Sequence, residues 1–389
     1  MIDFSALFDY PIYVVGGAVR DNLLGAKVKD IDLASALRPN EFIERCKTLG
    51  YKTYPTGIKH GTVTVRIKGE CYEHTTFRFD VSCDGRNATV QYSDTIEEDL
   101  SRRDFTMNAI AMLGNDYIDP FDGKKDLFER KVLRTVGVAS ERFKEDYLRI
   151  IRAARFASRL TFDCDQDLIN AARELSKEIP KHVSPERITD EFKKAQGHGK
   201  AFIEQADHLG FLKYILPEFY GLSLEDRTEL LVFVKRSQNC SESFYFASLF
   251  CRLGDERKLI ELAKRFKLSN SIKDQMIVFK RYSEQILKVS ELNARELRSF
   301  ILLIKKDHLE LFKYVSIIIN GNKDFLKLDK VNSFYNKVME SIESPLITGK
   351  FLLEKGIKPS PEFKRIIEEA GSLQAEGLNI DKILIRLAL

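Results

Sequence analysis

Residues 15 to 32 run Val-Gly-Gly-Ala-Val-Arg-Asp-Asn-Leu-Leu-Gly-Ala-Lys-Val-Lys-Asp-Ile-Asp, and this stretch decides how the rest of the chain is read. Ile12 to Val15 is a short apolar, β-branched run, the pattern of a buried strand. Gly16-Gly17 breaks it at a point where backbone without a Cβ can approach a ligand closely. Arg20 falls just inside an expected helix start. Val28-Lys29-Asp30-Ile31-Asp32-Leu33 reads as a period-two strand, which places the Asp30 and Asp32 carboxylates on one face, roughly 7 Å apart. Two carboxylates so placed repel each other unless a cation sits between them. The arrangement points to Mg²⁺ on Asp30 and Asp32 facing a triphosphate, since Mg²⁺ is held by one or two carboxylates plus substrate phosphates more often than by an all-protein cage.

Composition sets the frame. A chain of 389 residues has room for two to four packed units, and 44% hydrophobic residues is the share of an ordinary globular protein. No apolar run approaches the length of a membrane span, and Met-Ile-Asp-Phe-Ser lacks the basic start and apolar core of a secretory signal, so a cytoplasmic address without membrane attachment is expected. The six cysteines show no Cys-x-x-Cys spacing and there are no paired histidines, which argues against a zinc site or a disulfide framework. A net charge of +4 permits nucleic-acid binding without requiring it.

Downstream, Glu41 to Gly50 reads as an amphipathic helix closed by a glycine. Residues 61–68 and 71–80 alternate in the β manner and are joined at Gly69, giving a hairpin and hence a mixed sheet. The polar, turn-rich residues 81–90 are expected to form a surface loop. Asp116 to Ile118 reads as a short strand followed by a Pro and Gly turn.

Strand, Gly-Gly, Val-Arg-Asp, a short spacer and then Asp-x-Asp resembles the first motif of the class II nucleotidyltransferase superfamily, which includes the CCA-adding enzymes that rebuild tRNA 3′ ends and the bacterial poly(A) polymerases. Three further stretches carry the resemblance. Arg102-Arg103-Asp104-Phe105-Thr106-Met107-Asn108-Ala109 matches the Arg-Arg-Asp-Phe-Thr-x-Asn-Ala motif without a mismatch. There Arg103 can fork onto phosphate or ribose oxygens, and Asp104 can hold that fork or accept from a ribose hydroxyl. Asp119 to Leu127 resembles Asp-x-x-Gly-Gly-x-x-Asp-Leu with Asp122 in place of the first glycine, and is read as structural. Glu73 resembles the third carboxylate that members place beside the aspartate pair, with an exposed strand glutamate as the alternative. Asp84-Gly85-Arg86 is retained where enzymes adding only the two cytidines tend to have a shortened loop, although Asn87-Ala88 replaces the commoner arginine and proline.

From Ser140, a plausible N-cap, to Leu160 the chain reads as one helix, with Asp146, Arg149, Arg152 and Arg155 forming a polar stripe and Phe143, Leu148, Ile151 and Ala154 its apolar surface. Such stripes are usually solvated, salt-bridged faces. This one matches the superfamily's Glu-Asp-x-x-Arg motif, and a chemical reason exists for it. Cytosine and adenine both present an amino donor beside a ring-nitrogen acceptor, so Asp146 accepting and Arg149 donating pairs with either, while uracil and guanine present the reverse order. Each mispaired polar group in a closed pocket costs about 1–3 kcal/mol. Arg152 and Arg155 are then left to face the triphosphate or to hold the helix to the preceding domain.

Val183-Ser-Pro-Glu-Arg-Ile starts another helix with Ser184 as cap and Pro185 at its first position. The remainder reads as helix after helix, with Lys and Arg frequent from Arg257 to Arg298 and from Lys305 to Lys330, which suits tRNA bound through phosphates and shape. The resemblance thus implies an α+β chain: a mixed-sheet nucleotidyltransferase head over residues 1–138, a helical neck for base recognition over 139–220, and a helical body and tail for tRNA over 221–389. The implied activity is template-independent addition of CCA to the 3′ end of tRNA from CTP and ATP by catalysis with two Mg²⁺ ions. Asp30, Asp32 and Glu73 are the candidate catalytic residues, and Gly16, Gly17, Arg20, Arg103, Asp104, Asp146, Arg149, Arg152 and Arg155 the candidate nucleotide contacts. Enzymes adding only CC or only A, poly(A) polymerases and a non-catalytic RNA-binding relative remain open, and no protein partner is indicated.

Overall fold

The computed structural model describes residues 2–28, 30–83, 88–287, 296, 298 and 335–389. The chain divides into two compact units, Met1–Gly221 and Leu222–Leu389. The first carries a seven-stranded mixed sheet in the order β3-β4-β5-β2-β1-β8-β9, with β1 Tyr13–Val15, β2 Asp32–Ser35, β3 Lys52–Gly57, β4 Thr62–Ile67, β5 Glu70–Thr76, β8 Ala111–Leu113 and β9 Asp116–Ile118. A separate two-stranded sheet pairs β6 Arg78–Cys83 with β7 Ala88–Tyr92. Only the β2–β5 pairing in the large sheet is parallel. Around the sheet lie α1 Phe4–Phe8, α2 Gly17–Leu23, α3 Pro39–Thr48, α4 Ile96–Ser101 and α5 Gly123–Lys125. Helices then take over: α6 Ala139–Glu145, α7 Leu148–Leu160, α8 Gln166–Leu175, α9 Ile179–His182, α10 Pro185–Lys194 and α11 Gly199–His208.

Central strand β1 is buried because it is flanked on both sides: Tyr13 and Val14 pair with Ala34 and Leu33 of β2, and Val14 and Val15 with Met112 and Ala111 of β8. Register then sets the chemistry. Val15 pairs with Asp32, and Asp32 with Glu73, so the end of β1 and the two acids share one row across the sheet. A one-residue slip would turn every side chain of β2 to the opposite face. Deep in the same sheet, Ser35 Oγ and His74 Nε2 are 2.8 Å apart, and the His74 ring stacks on Phe42 of α3 at 3.7 Å between centroids.

Three expectations change. The strand anticipated over 28–33 begins only at Asp32, so Asp30 precedes it without ladder bonds. Residues 71–80 are not one strand: β5 ends at Thr76, Phe77 N bonds Ser35 O, and β6 leaves with β7, so much of the anticipated 81–90 loop is paired hairpin. Asp84, Gly85, Arg86 and Asn87 lie outside the described residues. Finally, the helix anticipated from Ser140 to Leu160 is two helices. Asp146 is extended (φ −155°, ψ 104°) between α6 and α7, and Val138 rather than Ser140 occupies the α6 cap. An aspartate whose carboxylate bonds nearby backbone competes with helix continuation, and Asp146 Oδ1 accepts from Leu148 N at 3.1 Å.

The Asp119–Leu127 turn is structural in detail. Asp126, fully buried, accepts from Thr106 Oγ1 at 2.6 Å, from Arg130 at 2.7 Å and from Arg134 Nε at 3.1 Å, tying three segments together. Asp122 adopts φ 59°, the left-handed region that glycine fills in the motif it departs from and that Asp tolerates.

The second unit is helical where described, from Leu224–Arg236 through Asn270–Leu287 and again from Gly349 to Leu387, with Phe246, Phe250, Phe266 and Phe279 in its core. The basic run from Lys305 to Lys330 lies outside the described residues. No helix among the described residues is long and apolar enough to cross a membrane.

Candidate active site

β1 ends at Val15 and α2 begins at Gly17, and the turn between them is possible because Gly16 takes φ 71°, a conformation L side chains rarely adopt. A Cβ on Gly16 would lie 2.7 Å from Arg103 Nη1, so the bare glycine is what lets that guanidinium come down onto the turn. Arg103 is held by Asp99 Oδ2 at 3.0 Å, while Asp99 Oδ1 takes Arg102 Nη2 at 2.8 Å. Burial alone would raise the Asp99 carboxyl, but the Arg103 and Arg102 guanidiniums outweigh it and hold the group below the usual carboxylate range. The fork of Arg103 is therefore anchored by Asp99, not by Asp104 as one of the two expected roles had it.

Asp104 instead joins the sheet unit to α7. Its Oδ2 accepts from Arg152 Nε at 2.8 Å and Nη2 at 2.6 Å, and its Oδ1 from Asn108 Nδ2 at 2.9 Å and from Phe105 N at 2.9 Å. Asn108 Oδ1 in turn accepts from Arg20 Nη1 at 2.6 Å. Arg20 also donates to Asp21 Oδ1, whose other oxygen takes Arg159 Nη2 at 3.0 Å. A continuous polar chain thus leaves α7 at Arg152, passes through Asp104, Asn108, Arg20 and Asp21, and returns to α7 at Arg159. Arg155 bonds the buried Glu191 of α10.

At the α6–α7 break, Asp146 Oδ2 accepts from Arg187 Nη2 at 2.7 Å and Oδ1 from Arg187 Nη1 at 3.3 Å. Arg149 is oriented by Arg142 O at 2.9 Å, by Arg102 O at 3.3 Å and by the Glu145 carboxylate. Sequence reasoning assigned no role to Arg187, although its Ser-Pro-Glu-Arg helix start stood out. Neither Arg102 nor Asn108 was singled out from its motif.

Gly16, Gly17, Arg20, Asp30, Asp32, Arg103, Asp104, Asp146, Arg149, Arg152 and Arg155 all line one cavity of about 980 Å³. Glu73 sits beside Asp32 in the ladder but does not line that cavity. Burial raises the Asp32 carboxyl above its ordinary value; Arg103 opposes this, and Glu73 and Asp30 add to it. Crowded acids of this kind are relieved by a cation. Among the described residues no three His, Cys, Asp or Glu side chains gather closely enough to hold a metal by themselves. That donor set fits a hard divalent ion that completes its shell with phosphate oxygens and water.

Residues 12–134 match the family described as the poly A polymerase head domain, and residues 161–222 the family described as the probable RNA and SrmB-binding site of polymerase A. The CCA-adding enzyme of Lactobacillus johnsonii is 32% identical over 375 residues, covering 95% of this chain and 90% of that protein. The Listeria innocua CCA-adding enzyme is 46% identical over 188 residues, 47% of this chain and 46% of that protein. Among solved structures, the Bacillus stearothermophilus CCA-adding enzyme in complex with CTP superposes with a TM-score of 0.77 at 30% identity, over 97% of this chain and 92% of that one. The Thermotoga maritima CCA-adding enzyme complexed with tRNA shares the fold at a TM-score of 0.67 and 22% identity, over 99% and 92% of the two chains. On the strength of identity sustained over nearly its whole length, this chain belongs to the family of CCA-adding enzymes.

Proposed function

We infer that the chain is a tRNA nucleotidyltransferase that appends C, C and A to the 3′ end of tRNA from CTP and ATP without a nucleic-acid template. The observation that carries this reading is the convergence of the glycine turn, the Asp30–Asp32 pair and the Asp146–Arg149 pair on one cavity. In the reaction the terminal 3′-hydroxyl attacks the α-phosphorus in line, a new P–O bond forms, and pyrophosphate leaves. Asp30 and Asp32 would hold two Mg²⁺, with Glu73 as a neighbouring carboxylate; bound there, one ion would lower the pKa of the attacking hydroxyl and the other would offset charge on the departing pyrophosphate.

The protein's own groups supply selection and orientation. Asp146, gripped by Arg187, offers its carboxylate oxygens as acceptors for an exocyclic amino group, and Arg149 presents N–H donors to the adjacent ring nitrogen of cytosine or adenine. Gly16 and Gly17 allow close approach of the triphosphate, toward which Arg20 and Arg103 direct their guanidiniums. Residues 1–138 then act as the catalytic head, 139–220 as the base-reading neck and 221–389 as the tRNA-binding part, in a cytoplasmic enzyme.

The test is a product ladder. tRNA ending at the discriminator base, at C or at CC is supplied with CTP and ATP separately and together, and the products are sized. Addition completing CCA in each case supports the reading. Arrest after CC, addition of A alone, or open-ended adenylation identifies a narrower or different activity, and no extension of any substrate removes the enzymatic reading altogether.

A further inference from the structure

Among the described residues, Phe156 of α7 is the one phenylalanine, tyrosine or tryptophan lining the cavity, and it is almost fully buried. Three guanidiniums gather on its ring: Arg155 at 4.1 Å from the centroid, Arg20 at 5.0 Å and Arg152 at 5.4 Å. Behind it the ring meets Phe105, itself fully buried, edge to face at 5.7 Å. Phe156 therefore stands where α2, the Arg102–Ala109 segment and α7 come together.

Three cations in so small a space repel one another. Each has an anionic or amide partner: Arg155 has Glu191, Arg152 has Asp104, and Arg20 has Asp21 and Asn108. Those partners leave N–H groups of every guanidinium uncommitted. What they do not supply is a contact common to all three, and the negative face of an aromatic ring does so without adding an anion that would compete with a phosphate ligand. An aspartate or glutamate at position 156 would neutralise the cluster but also repel a triphosphate. An aliphatic residue would fill the space and leave the mutual repulsion of the cations unopposed.

We propose that Phe156 is a positioning residue for triphosphate recognition, its ring being the platform that holds the Arg20, Arg152 and Arg155 guanidiniums in one orientation toward the cavity. This rests on the reading of those arginines as nucleotide contacts. Asp146 and Arg149 lie outside the cluster, their partners being Arg187 on one side and Glu145, Arg142 and Arg102 on the other. The platform acts on the part common to all nucleoside triphosphates, so its loss weakens CTP and ATP alike and leaves the choice of base unchanged.

The experiment replaces Phe156 site-specifically with phenylalanines carrying one, two and three ring fluorines, which keep the ring's shape while draining its negative face. Phe156→Tyr and Phe156→Leu serve as companions, and Arg20→Gln as a check on the underlying reading. The expected result is a stepwise rise in KM for both nucleotides, reaching about tenfold at three fluorines, with the melting temperature and the CTP-to-UTP preference held. Phe156→Tyr should behave as wild type and Phe156→Leu as the most fluorinated protein. A flat KM across the fluorine series, with Arg20→Gln weakening nucleotide binding, overturns the platform while leaving the site assignment intact. If Arg20→Gln also binds CTP normally, the assignment of the arginine cluster to the nucleotide fails with it.

Discussion

Asp146 and Arg187 face each other across the α6–α7 break, with the guanidinium bonding both carboxylate oxygens at 2.7 and 3.3 Å. The arrangement holds the Asp146 carboxyl oxygens stationary as hydrogen-bond acceptors. Arg187 thus fixes the acceptor half of the base-reading pair although it lies on a different helix. Removing it leaves the carboxylate free to rotate. Arg187→Met is expected to cut kcat/KM for CTP and ATP about 10- to 100-fold and to raise the relative use of UTP, since a displaced polar partner costs about 1–3 kcal/mol. Steady-state incorporation of all four nucleotides measures this, and unchanged selectivity would show that Asp146 needs no such support.

Two glycines separate the demands of chemistry from those of folding. At Gly16 a methyl group would meet the guanidinium of Arg103, 2.7 Å from Nη1, at a φ of 71°. At Gly123 it would meet the Thr106 backbone, 2.3 Å from its carbonyl oxygen. Gly123→Ala is therefore expected to lower stability by about 1–3 kcal/mol while the folded fraction retains nucleotide affinity. Gly16→Ala should weaken nucleotide binding more than a loss of about 1–2 kcal/mol in stability accounts for. Urea midpoints alongside CTP affinities distinguish the two, and a Gly16→Ala protein with normal affinity would sever the link between the turn and the triphosphate.

His74 gives the fold a defined acid sensitivity. Burial lowers its pKa from 6.5 to about 3, so the folded protein keeps the ring neutral while the unfolded chain protonates it near 6.5. The unfolded state therefore binds the extra proton throughout that window. Stability is full above pH 6.5 and falls as the pH drops toward 3, by about 2 kcal/mol between pH 6.5 and pH 5 from this group alone. His74→Gln, which can still reach Ser35 but cannot charge, should flatten that part of the urea-midpoint profile. A profile as steep as wild type would place the acid sensitivity elsewhere.

Local features were legible in the sequence where one segment decides its own structure. The glycine pair forced the β1–α2 turn, alternation in 62–67 gave a strand, and the unbroken Arg102–Ala109 match marked the segment carrying Asp104. The misplaced elements are those decided from a distance. Spacing alone carried a helix straight through Asp146, because periodicity registers neither a carboxylate that turns onto Leu148 N nor the arginine 41 residues further on that holds its other oxygen. Asp30 looked like a strand residue because alternation marks faces, not ladder partners, and β2 finds its partners only from Asp32 onward. The substitution of Asp122 for glycine looked like a departure, yet its left-handed backbone keeps the turn the glycine would have made.

The central claim is that the Asp30–Asp32 pair and the Asp146–Arg149 pair serve one and the same bound nucleotide. The most direct measurement compares CTP binding, CTP-over-UTP discrimination and CTP incorporation in wild type and in a protein carrying Asp30→Asn with Asp32→Asn. Incorporation should fall about a thousandfold or more, because the groups acting at the α-phosphate are gone, while CTP still binds and is still preferred to UTP. Incorporation that persists, or a preference for CTP that vanishes with the two carboxylates, would contradict the account.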